Sequence, residues 1–231
     1  MRVRARQPRI ALITLGCPKN VADSDLLAGQ ILREGLAVTS TIAEADAVLV
    51  NTCAFLAAAE RESIRSILEL AEGKKARPSQ RLVVMGCLAQ RHGEALRSEV
   101  PEIDLLVGPG EVHRLAPRLR AILAGKGVGP AATRIGGLDR LHGDWDLRVV
   151  SGRRHSAYVK ISDGCDRRCS FCVIPRLRGP QRSRPPGSII REVERLAGGG
   201  VREINLVAQE LTAYGTDKGK PGALPALLRR L

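Results

Sequence analysis

Three apolar runs near the start of the chain, Arg9 to Leu15, Ala47 to Asn51 and Leu82 to Met85, each lead into a cysteine two positions further on: Cys17, Cys53 and Cys87. Between the runs lie segments with helical spacing of apolar residues. Ala22 to Glu34 carries Leu26, Leu27 and Ile31 and stops at Gly35, Ala57 to Glu72 stops at Gly73, and Ala89 to Glu99 follows the third cysteine. Ala37 to Ser40 reads as a short strand, Ile103 to Val107 as the last strand, and Val112 to Leu123 as the last helix of the block. Buried strands alternating with amphipathic helices predict an α/β fold, a doubly wound parallel sheet over residues 1–125. The carboxyl ends of its strands form one edge, the edge where such sheets bind ligands. Small thiols also pack well near strand ends for purely apolar reasons. Three of them at the same topological position favour a shared metal cluster.

The other three cysteines are close in sequence. Cys165, Cys169 and Cys172 form C-x-x-x-C-x-x-C within Ser162-Asp-Gly-Cys-Asp-Arg-Arg-Cys-Ser-Phe-Cys-Val-Ile-Pro175. Soft thiolates suit iron–sulfur chemistry. Three of them hold three irons of a cubane 4Fe–4S cluster and leave the fourth iron open for chemistry. The aromatic Phe171, just before the third cysteine, adds to the signal. A zinc site with His155 as fourth ligand is one alternative, although zinc sites usually pair one C-x2–4-C with a second pair or with histidines. Unligated structural cysteines are the other.

At 231 residues and 44% hydrophobic content the chain suits one or two domains with a sizeable core. Six cysteines in so long and regular a chain point to metal or catalytic use in a reducing compartment rather than to a disulfide scaffold. The basic start, Met1 to Arg9, followed by a short apolar run and Cys17, loosely imitates a lipoprotein signal. Its apolar part is too short for one, and no run reaches the ~20 residues of a membrane span. The expectation is a cytoplasmic protein with no membrane contact. A net charge of +13 leans toward an RNA-rich partner, but the aromatics that stack on bases are almost absent.

Residues 126–156 are glycine-rich with poor hydrophobic pattern and read as a linker, in which Trp145 anchors the crossing or simply packs. After it, Ala157 to Ile161 is a strand, the cysteine motif the loop leaving it, Pro186 to Leu196 a helix, Glu203 to Val207 a second strand and Leu224 to Leu231 a further helix. Residues 157–231 thus read as the opening of a β/α, TIM-like barrel, whose reactive groups sit on loops after strands. Two strands cannot close a barrel, so the chain reads as truncated.

The cysteine motif resembles that of the radical S-adenosylmethionine (SAM) superfamily, where the open iron chelates the amino and carboxylate groups of SAM. With two sets of three cysteines, the chain as a whole resembles the radical-SAM methylthiotransferase family, and within it the branch that modifies a ribosomal-protein aspartate. The finer likeness rests on Gly16-Cys-Pro-Lys-Asn20, Asn51-Thr-Cys-Ala-Phe55, Gly86-Cys87, Arg178-Gly179 with Ser183-Arg-Pro185, and Ala208-Gln-Glu-Leu-Thr-Ala-Tyr-Gly215. The tRNA-adenosine branch typically reads Gln-Met where this chain has Pro18-Lys19. Glu210 stands where the family usually has aspartate, and the rest of the barrel and the C-terminal TRAM domain are missing.

The resemblance implies two 4Fe–4S clusters as cofactors, a radical-SAM cluster on Cys165, Cys169 and Cys172 and an auxiliary one on Cys17, Cys53 and Cys87, with SAM as cosubstrate. It implies an electron from a flavodoxin-like donor, a deoxyadenosyl radical, and a methylthio group placed on the β-carbon of an aspartate of small-subunit ribosomal protein twelve, on the protein or the ribosome. Phe171, Gln209, Glu210, Arg182 and Arg184 become candidates for cofactor binding. Gln209 and Glu210 would contact the SAM amino group or cap a turn; Arg182 and Arg184 would face a carboxylate or lie on a solvated basic loop. Lys19 and Asn20 would orient the auxiliary cluster, or Asn20 would cap the following helix. The alternatives are the same chemistry on tRNA adenosine, a non-catalytic cluster-binding fragment, and a simple zinc module.

Overall fold

The computed structural model describes residues 6–126, 133–138, 141, 148–152 and 155–231. Runs of valine, isoleucine and leucine form the strands β1 (Arg9–Thr14), β2 (Ala37–Thr39), β3 (Ala47–Thr52), β4 (Arg81–Gly86) and β5 (Leu105–Val107). They alternate with the helices α1 (Pro18–Arg33), α2 (Ala57–Lys75), α3 (Cys87–Glu99) and α4 (Leu115–Leu123). With β6 (Thr133–Arg134) added at one edge, all pairings in this sheet are parallel, in the order β2-β1-β3-β4-β5-β6. The central strand β3 is buried along all six residues, because helices cover both faces. On one face Leu27 and Ile31 of α1 pack with Leu115 and Leu119 of α4, and on the other Ile67 and Ala71 of α2 pack with Leu88 and Leu96 of α3.

Two helices begin earlier than their apolar spacing predicts. The first starts at Pro18 rather than Ala22, with Cys17 as its N-cap residue. Proline suits the first helical position, where its missing N–H would have no partner in any case. The third starts at Cys87 itself rather than at Ala89. Part of the stretch expected as linker joins the sheet: β6 (Thr133–Arg134) pairs with β5. Its two residues are too few to register as a hydrophobic period. Trp145 lies outside the described residues.

The second module starts with β7 (Ser156–Lys160), which pairs in parallel with β10 (Glu203–Val207). The helix α6 (Pro186–Gly198) connects them, packing Ile189 and Leu196 against Ala157 and Val159 of β7. Between β7 and α6 an antiparallel pair, β8 (Ser162–Asp163) with β9 (Arg182–Ser183), brackets the cysteine motif and the short helix α5 (Ile174–Arg178). The chain closes with α7 (Ala223–Leu228). Among the described residues no helix is long and apolar enough to cross a membrane.

The modules meet through α1. Its Asp25 binds the Arg148 guanidinium at 2.7 Å, and Arg148 also reaches Glu192 of α6 at 2.9 Å; all three side chains are shielded from water. Ser151 donates its backbone N–H to Asp25 at 2.8 Å. Removing one partner of such a buried set strands the others, at a cost of about 3–5 kcal/mol. Arg148→Ala is therefore expected to lower unfolding free energy by about that amount; a chemical denaturation midpoint unchanged from the parent would refute the assignment.

Candidate metal centres

The strand order reverses between β1 and β3, and ligands in open parallel sheets bind at such a reversal, beyond the carboxyl ends of the strands. Cys17 and Cys53 flank this point, and Cys87 leaves the adjacent β4. Side-chain amides and hydroxyls stitch the three loops together. Asn20 Nδ2 donates to Leu15 O at 2.8 Å and to Thr52 O at 3.0 Å, and Asn51 Nδ2 donates to Asn20 O at 3.0 Å. Thr52 Oγ1 donates to Met85 O at 2.6 Å, and Ser63 Oγ accepts the Cys53 N–H at 3.1 Å. Asn20 is therefore no helix cap. It lies inside α1 and ties the ends of β1 and β3.

Gly16 has φ of 90°, and a Cβ there would stand 2.4 Å from Cys53 Cβ. The first two cysteine loops thus touch. Cys17 caps α1 and Cys87 opens α3, so two helix N-termini, with their partial positive charge, point at this edge. Burial pushes the Cys87 thiol up, Arg178 opposes that, and neighbouring Cys53 and Cys17 reinforce it. The Cys87 thiol thus feels the other two.

The second set occupies the loop between β8 and α5. Gly164 fixes its start, since at φ 80° a Cβ would lie 1.9 Å from Pro180 O. The Cys165 N–H donates to Gly179 O at 3.1 Å and the Cys172 N–H to Cys169 O at 3.1 Å. Cys165 is buried, Cys172 half-buried and Cys169 exposed. They line an open depression of about 910 Å³ with Arg167, Arg168 and Phe171. Phe171 is 88% exposed on its wall.

Gln209 braces the loop from below, accepting the Gly164 N–H at 3.0 Å and donating to Asp163 Oδ1 at 2.9 Å. Glu210 accepts the Thr212 N–H at 3.1 Å and lies 3.6 Å from Arg167. The Thr212 hydrogen bonds hold its carboxyl below the ordinary range, so it caps its own turn. Arg182 and Arg184 are buried, which removes the solvated-loop reading. Arg184 Nη1 donates to Lys160 O at 2.7 Å and to Glu192 at 2.6 Å; Arg182 Nε donates to Pro180 O at 3.1 Å. Tyr214 Oη donates to Arg184 O at 2.8 Å, so much of the Ala208–Gly215 motif buttresses β9.

Sequence reasoning assigned no role to Arg178, Asp23, Lys160 or Asp163. Arg178, the last residue of α5, is buried between the two cysteine sets. Its Nε donates to Cys87 Sγ at 3.3 Å, its Nη2 to Asn20 Oδ1 at 2.7 Å and its Nη1 to Asp23 Oδ2 at 2.9 Å. Burial works against its charge, but Cys87, Asp163 and Asp23 hold it ionised well above its ordinary range. For Asp163 burial favours the neutral acid, and Lys160, Arg178 and Arg182 override it and keep the carboxylate ionised. A pairing of distant charges leaves no periodic trace; only the Arg178-Gly179 dipeptide of the family motif pointed there.

Each set offers three free thiols, the soft donor type that suits iron–sulfur chemistry. Among the described residues no three His, Cys, Asp or Glu side chains are gathered tightly enough for one metal ion. A cubane gives each thiolate its own iron, so its ligands stand further apart. His155 does not complete a zinc site: it precedes β7, whose five residues place it roughly 16 Å from the strand's motif end. Beside the motif, both amide atoms of buried Gln181 lack a partner among the described residues, while its backbone N–H is held by Asp166 at 3.0 Å. A bound polar group would satisfy them.

Residues 9–108 match the model of the family described as "Uncharacterized protein family UPF0004", and residues 159–221 match that of the Radical SAM superfamily. In fold the chain is similar to the radical S-adenosylmethionine methyltransferase TsrM from Kitasatospora setae, at 19% identity and a TM-score of 0.61 over 96% of this chain and 50% of that one. The sheet and the β/α unit with its three-cysteine loop define a radical-SAM protein with an added N-terminal cysteine module.

The particular relatives narrow this. The ribosomal protein uS12 methylthiotransferase RimO of Syntrophus aciditrophicus is 46% identical over 98% of this chain and 50% of its own length. That of Desulforamulus reducens is 44% identical over 97% and 50%, and that of Myxococcus xanthus 44% over 91% and 43%. Along nearly its whole length the chain is similar to radical-SAM methylthiotransferases, and it spans about half the length of the curated relatives it matches.

Because Gly164 admits no Cβ, Gly164→Ala is expected to abolish iron binding by the second set alone. In a Cys17→Ala background the substitution should take iron per chain close to zero; unaltered iron would mean that the loop tolerates the shift.

Proposed function

We propose that this chain carries the two cluster sites of a methylthiotransferase acting on an aspartate of ribosomal protein uS12. The observation that carries the reading is the arrangement of two three-cysteine sets on either side of α5, in a chain with these relatives. Cys165, Cys169 and Cys172 would hold one 4Fe–4S cluster, and Cys17, Cys53 and Cys87 the other. When bound, the clusters and SAM supply an electron-triggered radical able to abstract hydrogen from an unactivated carbon, together with the sulfur that replaces it.

The protein's own part is placement. The open depression beside Cys169 admits a molecule of SAM's size, and its volume lies within the range of small-molecule pockets. Phe171 offers an apolar face there, and Arg167 and Arg168 offer charge to a carboxylate. Gln209 holds the backbone before Cys165 fixed, and Glu210 steadies Arg167 across the loop. Arg182 and Arg184 act from inside, by shaping the β8–β9 base, rather than by touching a ligand. The first set, with Cys53 and Cys87 buried and Cys17 half-buried, would limit water at a second reactive centre.

Two measurements test the reading. After anaerobic reconstitution the chain should bind about eight irons, with about four lost in Cys165→Ala and about four in Cys17→Ala, as two cysteine-ligated cubanes require. Zinc, or iron indifferent to both substitutions, would sink it. Incubated with SAM, a flavodoxin-type reductant and either small ribosomal subunits or tRNA, the protein should place a methylthio group on uS12 detectable by mass spectrometry. Modification of tRNA instead would move the chain to the other branch.

A further inference from the structure

The buried guanidinium of Arg178 carries an inference that goes one step past the proposed function and rests on it. The residue belongs to the helix that follows the second cysteine set, yet its Nε–H points at a sulfur of the first set, Cys87 Sγ, at 3.3 Å. The opposite corner of the same guanidinium is held by Asp23 at 2.9 Å and lies 3.4 Å from Asp163, while Nη2 is fixed by Asn20 at 2.7 Å. Nothing about this side chain is free to swing. Its helix is equally fixed, with Leu177 buried in the core between α2 and α3 and Val173 packed against that core.

We propose that Arg178 is a positioning residue for the cluster of the first set: it orients the Cys87 sulfur and raises the reduction potential of whatever iron–sulfur group that sulfur binds. Hydrogen bonds to cluster sulfurs and local charge are levers that set such potentials. Asp23 and Asp163 oppose the charge of the guanidinium, so the effect comes chiefly from direction. The N–H end of the group faces the sulfur and the carboxylates lie behind it. Reduction adds negative charge at the sulfur end, and the fixed N–H dipole stabilises that form in a site shielded from water. Because Arg178 ends the helix that starts beside Cys172, it also ties the geometry of one cysteine set to that of the other.

The test uses the whole chain with Cys165, Cys169 and Cys172 all changed to alanine, so that only the first set binds a cluster. Its midpoint potential is measured by redox titration followed by electron paramagnetic resonance. Arg178→Gln removes the charge and leaves Asp23 unpaired. The paired change Arg178→Gln with Asp23→Asn restores the balance and is compared with Asp23→Asn alone. The expected result is a reduced-to-oxidised ratio about tenfold lower at a fixed potential, a shift of about 59 mV for one electron, in the balanced variant. A cluster retained at an unshifted potential overturns the proposal. If the balanced variant binds no iron while its apoprotein melts with the parent, the positioning role stands. If the apoprotein's melting collapses too, Arg178 is an ion-pair partner only and the proposal falls. A parent that binds no iron would instead mean that the first set holds no cluster.

Discussion

The two modules are held in register by buried charge on one helix. From α1, Asp23 and Asp25 each enter a group of two acids and two bases: Asp23 with Lys160, Asp163 and Arg178, and Asp25 with Arg148, Glu192 and Arg184. Taking eight such charges out of water costs several kcal/mol for each ion before attraction offsets it, so the array is a poor source of net stability. Its value is geometric. A greasy contact between the modules would allow them to slide by part of a side chain at little cost, whereas a guanidinium forked between two carboxylates and an amide oxygen accepts one arrangement. In each group the carboxylates and the bases paired with them offset one another's charge.

This constraint explains why α1 is buried along most of its length despite carrying Asp23, Ser24, Asp25 and Gln30 in its middle. By amphipathic pattern such a helix would expose that polar face. Here the polar face is the module interface, and Ser24 and Asn20 on it reach the strand ends through Thr14 at 2.7 Å and Asn51 at 3.0 Å. The same helix thus positions Cys17 at its N-terminus, ties the loop of Cys53 through Asn20, and anchors the cysteine loop of the second module through Asp23.

What was legible in the sequence follows from range. The alternation of strands and helices, and a cysteine after each of three strands, are local patterns with periods the eye can follow, and the parallel sheet repeats them. The early helix starts at Pro18 and Cys87 were missed because a helix's first turn carries little apolar signal. The two residues of β6 were missed because a strand so short has no period. Arg184 stood in a basic run that read either as ligand-facing or as a solvated loop, and only the fold shows Glu192 waiting for it eight residues on, inside the core. Gln209 and Tyr214 likewise stood in a family motif whose residues, once folded, turn inward to buttress the loops.

The contrast in exposure between the two cysteine sets has a chemical logic. A site that must take up and release a soluble molecule needs an opening, and the second set has one, with Cys169 exposed and Arg167, Arg168 and Phe171 around it. A site that must keep a reactive sulfur centre from water needs the reverse, and Cys53 and Cys87 are buried against the sheet edge. Burial of thiolates is costly unless positive groups face them, because a desolvated anion loses its hydration. Two helix N-termini and the Arg178 Nε–H supply that compensation without admitting water.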